Sequence, residues 1–491
     1  MNKIITITGL LIILTFASCT KLQDYNENPN NVKEVHPQLL LTNIVWDAFQ
    51  VEGADPMYAT HMIVQTDREN IIQYYKWNRG DFNYYDNLRN VTKMIEEAER
   101  IQDPSYIAIG KFFRAYYFYK LTLQFGDIPY SQALKGESEG IYTPVYDSQK
   151  DVFIGILNEL EEANQLISDD PIAGDIVYRG NPDNWKKLIN SFRLKVLITL
   201  SKKENDNDLN IKNTFADIVA SQPVFTSISD NAQIVFLDQL GNRYTEFNNS
   251  NYGSGRYADS TMIKRLRDRQ DPRLFIYYGQ TREAKESGLP IDDFNGYDGG
   301  NPIASPDYNN RKAVDGLSSR VNLRYTTNPV TEPHNLLSYS ELQFILAEAV
   351  VRGWITGDAK TYYDNGIKAS FKFYYDYAPE YASYVDDNAA ATYLTNPLVD
   401  FSTASDDEEK IEKIITQKFL TTFLQGGWLG YFEHLRTGYP YLDHLPNFAP
   451  PYRWMYPEAE YRLNAENVTA AISSQFGVGN DNITEKTWWL K

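Results

Sequence analysis

Thiols are almost absent from this chain: of its 491 residues only one, Cys19, is a cysteine. A body without thiols has no disulfide, no thiolate-bound zinc and no cysteine nucleophile. Histidine is nearly as scarce. The five, His36, His61, His334, His434 and His444, are scattered, and no pair has the i, i+4 spacing of a helical zinc site. Positive charge is in deficit: 47 Lys and Arg stand against 65 Asp and Glu, a net charge of −18. That balance argues against a nucleic-acid partner and against a basic membrane-binding face. Long apolar runs are missing after Phe16, so nothing later reads as a membrane-spanning helix, which needs about 20 apolar residues.

What is present begins at the N-terminus. Lys3 precedes an apolar run from Ile4 to Phe16, and the small residues Ala17 and Ser18 lead into Cys19. This order predicts a signal peptide over residues 1–18. A cysteine directly after small residues resembles the lipobox of bacterial lipoproteins, with Phe16 where Leu is usual. The expectation is a lipidated Cys19 and an Asn-rich tether over 19–37 that leads to the body.

The body reads as mainly helical. Leu40, Leu41, Ile44, Val45, Ala48 and Phe49 recur at three and four residues. A second helix is predicted from Pro56 towards Tyr74. Further helices are predicted over 81–101, 104–125, 148–167, 182–200, 338–352 and 358–375, with Asp147 as a cap. A last stretch, 408–435, is broken at Gly426-Gly427. Antiparallel pairs of this length resemble tetratricopeptide repeats, which bury their faces by stacking. Between them the chain is rich in Asn, Asp, Gly and Tyr. We divide it into N-terminal helical repeats (38–203), a loop-rich insertion (204–337), C-terminal repeats (338–437, with a loop at 377–407) and an irregular final segment (438–491), together one compact unit. The aromatics within the loops argue that the loops are ordered.

Several motifs fall in a fixed order. Arg114-Ala-Tyr lies on a helix that ends in Phe125-Gly-Asp-Ile-Pro129. Trp185 and Asn190-Ser-Phe-Arg193 share a later helix. Asp271-Pro-Arg273, Gln417-Lys418, Arg436-Thr-Gly-Tyr-Pro440 and Arg453 to Glu460 follow. Together with Asp24 to Asn30, these resemble the signature of the SusD-like (SusD/RagB) lipoproteins of Bacteroidetes. The resemblance implies a SusD-like fold and a nutrient-binding lipoprotein on the outer face of the outer membrane. It also implies capture of an oligosaccharide or a peptide, and a partner in a SusC-type TonB-dependent transporter over which the protein forms a lid. The motif residues themselves read as structural: Arg114 needs an internal partner, Trp185 packs between helices, and Asp127, Pro129, Asp271 and Pro272 shape turns.

Sugars present an apolar face and a rim of hydroxyls, so their sites combine flat aromatics with amides and charges. Two stretches offer both: Tyr75, Trp77, Asn78 and Arg79 in one, Asn295, Tyr297 and Tyr308 in the other. In the family, binding aromatics come from these two regions. Trp77 lies outside any apolar stripe and is expected to be a stacking platform. Asp292, Asp293 and Asp298 match no EF-hand spacing, and no metal or cofactor is expected. Two other functions fit the scaffold. A protein-only repeat adaptor is one. A glycoside hydrolase is the other, needing two carboxylates about 5–10 Å apart; with 65 acidic residues some pair meets that distance by number alone. We expect a binder, not an enzyme.

Overall fold

A computed structural model describes residues 34–491. Cys19, the signal segment, the Asp24 to Asn30 motif and most of the expected tether lie outside the described residues. The first helix, α1 (Pro37–Ala48), begins inside the segment assigned to the tether. Pro37 occupies its first turn, where a missing N–H costs nothing, and His36 caps it by accepting the Gln38 N–H at 3.3 Å.

Helices α2 (Tyr84–Ile101) and α3 (Pro104–Phe125) form a hairpin. Gln102 takes a left-handed φ of 60°, and Asp103 accepts the Ser105 N–H at 3.0 Å, so one helix stops and the next starts within two residues. α3 packs against α2, α4 (Gln149–Leu166) and α5 (Pro182–Thr199), which explains why it is apolar nearly all round. Ser148, not Asp147, caps α4, its hydroxyl accepting the Asp151 N–H at 3.1 Å. Asp147 instead accepts the N–H groups of Tyr130 and Ser131, at 2.9 and 2.8 Å.

The C-terminal pairs are α6 (Tyr339–Val351) with α7 (Ala359–Tyr377), then α8 (Asp407–Leu420) and α9 (Leu429–Thr437). Ser338, Asp358 and Asp406 cap the first three. α6 touches α5 as well as α7 and α8, so the two sets of helices share one continuous apolar core. The fold is mainly α, with paired helices in the tetratricopeptide manner.

The helix expected from Pro56 to Tyr74 does not form. A short helix, Asp55–Ala59, gives way to strand β1 (Ile63–Gln65), which pairs antiparallel with β3 (Arg256–Ala258). The partner lies almost two hundred residues away, beyond the reach of local periodicity. A second ribbon joins β2 (Ala232–Ile234) to β4 (His334–Leu337). The insertion also holds helices at Ile211–Ser221, Ser260–Asp268 and Pro306–Val314.

The motif residues hold these pieces together. Arg114 Nε donates to Glu159 at 2.8 Å, bridging α3 and α4. Trp185 is fully buried between Phe112, Phe113 and Tyr178, and its Nε1–H donates to Asp175 at 3.0 Å. Arg273 forks onto Asp271 (2.9 and 2.6 Å) and reaches Ser370 on α7 and Gln417 on α8, at 3.0 and 3.1 Å. It thereby ties the insertion to the C-terminal helices. At the corner after α3, Gly126 has φ +91°, and the Asp127 carboxylate accepts the Gln149 N–H at 2.8 Å. Burial pushes Asp127 up to about 7, against the opposing pull of that N–H.

Candidate ligand-binding surface

Gln73 and Tyr74 of the first stretch bond to Pro302 and Ala304, between Tyr297 and Tyr308 of the second. The turn after β1 is locked from inside by Gln73, whose Oε1 accepts the Gln65 N–H at 2.8 Å and whose Nε2 donates to Pro302 O at 2.8 Å. The Tyr74 hydroxyl donates to Ala304 O at 2.5 Å. On the other side, Asn309 accepts the Asn301 N–H (2.8 Å) and donates to Asn301 O (2.9 Å). Gly299 must be glycine because a Cβ there would land on the Asp259–Ser260 backbone. The loops are therefore ordered by hydrogen bonds to one another, as their aromatic content suggested.

A third segment joins them. Lys76 Nζ lies 5.0 Å from the Phe448 ring centroid and 5.4 Å from that of Tyr74, and it pairs with Glu69 at 2.6 Å. Burial, and then the Glu69 carboxylate, raise Tyr74 above the ordinary phenol range. These three segments carry exposed apolar groups, Tyr308 (48%), Phe448 (38%), Ile303 (37%) and Ile71 (56%). Exposed Asn78, Asn301 and Asn310 and the Lys76–Glu69 pair supply polar groups. Flat apolar surface with an amide and charged border suits a ligand with an apolar face and hydrogen-bonding edges.

The structure corrects three of the candidate rings. Trp77 is 2% exposed. It stacks on Trp454 (centroids 5.3 Å) and meets Tyr75, Trp428 and Tyr431 edge-on, so it offers no open face. Tyr75 is buried, stacked on His61 at 5.4 Å, with its hydroxyl donating to Ala59 O at 2.9 Å. Tyr297 is buried beside Phe275, and its hydroxyl donates to Ile291 O at 2.7 Å. Arg79 is engaged within the protein: Nη1 donates to Tyr456 O at 2.6 Å, Asp481 and Glu458 lie 3.2 and 3.1 Å away, and the guanidinium sits 4.8 Å from the Tyr461 ring. Asn78 and Tyr308 remain exposed. Asn295 is exposed too, on the rim of a shallow depression of about 410 Å³ that also includes Arg267, Gln270 and Phe294.

Phe448, Ile303 and Lys76 were missed. Lys76 lies between Tyr75 and Trp77, and Phe448 stands exposed in a loop beside Pro450 and Pro451. Among the described residues, no three His, Cys, Asp or Glu side chains gather in a metal-binding arrangement. Asp298 pairs with Lys312 at 2.6 Å, and Asp293 accepts both N–H groups of Asn295, at 2.9 and 3.0 Å.

Residues 29–457 match the model of the SusD-like family described as starch-binding, associating with outer membrane. A SusD homolog from Bacteroides fragilis NCTC 9343 is similar at 54% identity and TM-score 0.89, covering 93% of this chain and 100% of that one. A candidate nutrient-binding outer-membrane protein from Bacteroides vulgatus ATCC 8482 is similar at 51% identity and TM-score 0.90, with the same coverage of both chains. A second SusD homolog from Bacteroides fragilis NCTC 9343 has 32% identity and TM-score 0.87, again over 93% and 100%. No curated protein matches the sequence. The family match over most of the chain agrees with the helical scaffold and the motif residues that hold it together, and the chain belongs to the SusD-like family of outer-membrane nutrient-binding proteins.

Proposed function

We propose that this protein is a cell-surface lipoprotein that captures an oligosaccharide, or a peptide, and acts as a lid on a SusC-type TonB-dependent transporter. The observation that carries the binding role is the meeting of the 69–80 and 298–310 segments with Phe448. Their exposed rings and amides stand on loops braced by hydrogen bonds to a helical core. Such a surface is built to hold a ligand, and its fixed loops spare the ligand the entropy of ordering them. The resemblance supplies the lid role and the partner. Asn78, Asn295 and Tyr308 are the retained sequence candidates for contact, with Phe448 and Lys76 added. We read the protein as a binder rather than a catalyst.

The test is retention on glycan and peptide arrays, followed by calorimetric titration of the best ligand. Tyr308→Ala combined with Phe448→Ala removes two rings that are already more than a third exposed, so the melting temperature should hold. Affinity should fall about tenfold or more, roughly 1.4 kcal/mol. Unchanged affinity would remove this surface from the site. Retention of neither ligand class by the wild type would favour the protein-only adaptor, and released reducing ends would favour a hydrolase.

Anchoring is tested separately. Cys19→Ser is expected to move the protein from the outer-membrane fraction to the soluble fraction while ligand affinity in solution stays unchanged. Stable attachment generally needs two acyl chains. A serine variant that stayed in the membrane fraction of a strain lacking the transporter would show that Cys19 is not the anchor.

A further inference from the structure

Acidic glycans carry carboxylates or sulfates, and proteins hold such groups with free Arg or Lys side chains. The segments that carry the exposed rings, residues 67–80, 298–312 and 440–450, contain five Lys and Arg: Arg68, Lys76, Arg79, Arg311 and Lys312. Four of them already have a carboxylate partner. Lys76 pairs with Glu69 at 2.6 Å and Lys312 with Asp298 at 2.6 Å. Arg79 lies 3.1 and 3.2 Å from Glu458 and Asp481, and Arg68 lies 3.9 Å from Asp67. The fifth, Arg311, has Asp307 and Asp315 four residues away on either side, about one turn of helix.

Lys76 is the cation best placed to meet a ligand. Its ammonium lies 5.0 Å from the Phe448 ring centroid and 5.4 Å from that of Tyr74, so it stands beside a sugar stacked on Phe448. The Lys76 side chain is 29% exposed and that of Glu69 is 56% exposed, which makes the carboxylate the more accessible member of the pair. An anion that reached Lys76 would come nearly as close to Glu69, and attraction and repulsion over similar distances largely cancel. A hydroxyl meets no such conflict, because it donates to the carboxylate and accepts from the ammonium. The Asp298–Lys312 pair repeats the arrangement one turn beyond Tyr308, and Lys312 also donates to Gly299 O at 2.7 Å.

We propose that Glu69 and Asp298 are specificity residues: by occupying Lys76 and Lys312 they close this surface to glycans bearing carboxylates or sulfates and reserve it for uncharged oligosaccharides. The inference rests on this surface being the nutrient site. The net charge of −18 acts in the same direction at longer range, since it repels a polyanion before contact.

The full chain is tested on an array of uncharged, uronate-containing and sulfated oligosaccharides. The best uncharged ligand is then titrated beside the same chain with its primary alcohols oxidised to carboxylates. The wild type should retain uncharged members only, and oxidation should weaken binding about tenfold or more. Glu69→Gln frees Lys76 and should raise the ratio of oxidised to uncharged affinity about tenfold, a gain that fades as salt screens it. Asp298→Asn should raise the ratio less, because Lys312 keeps Gly299 O. Both changes preserve side-chain shape, and melting temperatures check the fold. Wild-type retention of acidic glycans that is lost on Tyr308→Ala with Phe448→Ala would overturn the proposal and leave the site standing. A ratio that Glu69→Gln does not move would overturn it as well. Uncharged-glycan affinity indifferent to the loss of Tyr308 and Phe448 would instead remove the site, and this proposal with it. The wild-type comparison of oxidised and uncharged ligand decides even if a variant fails to fold.

Discussion

Trp77→Ala is expected to destabilise the protein by about 3–5 kcal/mol, read as a fall in the denaturant midpoint at unchanged slope. The indole is 2% exposed and sits among Tyr75, Trp428, Tyr431 and Trp454. Its removal leaves a cavity where the 69–80 turn meets the C-terminal segment, and the four rings around it lose their contacts together. Trp77→Phe is the informative companion. The indole N–H has no partner, so phenylalanine forfeits no hydrogen bond and loses only part of the packing. It should cost well under half as much as alanine. The opposite pattern, an unchanged midpoint with lost glycan affinity, would return Trp77 to the binding surface.

Arg436→Met is expected to cost about 3–5 kcal/mol at neutral pH. Arg436 is 3% exposed and forks onto Glu348 (2.7 Å to Oε2), with a further bond to Glu433 at 2.6 Å. It also donates to Ser201 at 3.0 Å, so one guanidinium joins α9 to α6 and to the end of α5. Methionine keeps much of the volume but leaves two buried carboxylates without their main cation. The pH dependence separates this cause from simple loss of packing. Burial acts to raise both carboxyls, but Arg436, with Lys418 at Glu433 and Arg352 at Glu348, outweighs it. Glu433 is depressed to about 2, and Glu348 also lies below its ordinary value. Groups depressed in the fold contribute stability above their unfolded pKa of about 4.3 and lose it as the pH falls towards the folded value. In the variant, burial is opposed only by Lys418 at Glu433 and Arg352 at Glu348, so the carboxyls take up protons at a higher pH than in the wild type. The gap between wild type and variant should therefore narrow as the pH falls through the range in which the variant's folded carboxyls are protonated and the wild type's are still ionised, down towards about 2 for Glu433. A gap that stayed constant from pH 7 to the acid limit would mean that the loss is one of packing.

Much of this fold can be read locally. The boundaries of α3 follow from Asp103, Pro104 and Gly126, because capping and backbone freedom depend on residues within one turn. The internal partner demanded by Arg114 exists as Glu159, because a charge in an apolar helix must be paired. The same local rules fail over 56–74, where β1 depends on a strand at 256–258. They fail at Asp147 as well, since Ser148 sits one residue closer to the helix and takes the cap.

The binding surface divides along the same line. That 73–80 and 295–309 both combine aromatics with amides is visible in the sequence. Which of their rings face outward is not. Tyr75, Trp77 and Tyr297 look as available as Tyr308 when only neighbours in sequence are considered, yet their partners at His61, Trp454 and Phe275 come from other parts of the chain. Composition, periodicity and caps act over a few residues, so the order of residues alone established the helical class, the scarcity of thiol chemistry and the motif framework. Burial is a sum over everything that packs against a side chain, and for the loop aromatics that sum is closed by other segments: His61 for Tyr75, Phe275 for Tyr297 and, hundreds of residues away, Trp454 for Trp77. Only the assembled fold could decide that Trp77 holds the surface up from beneath while Tyr308 and Phe448 face the solvent.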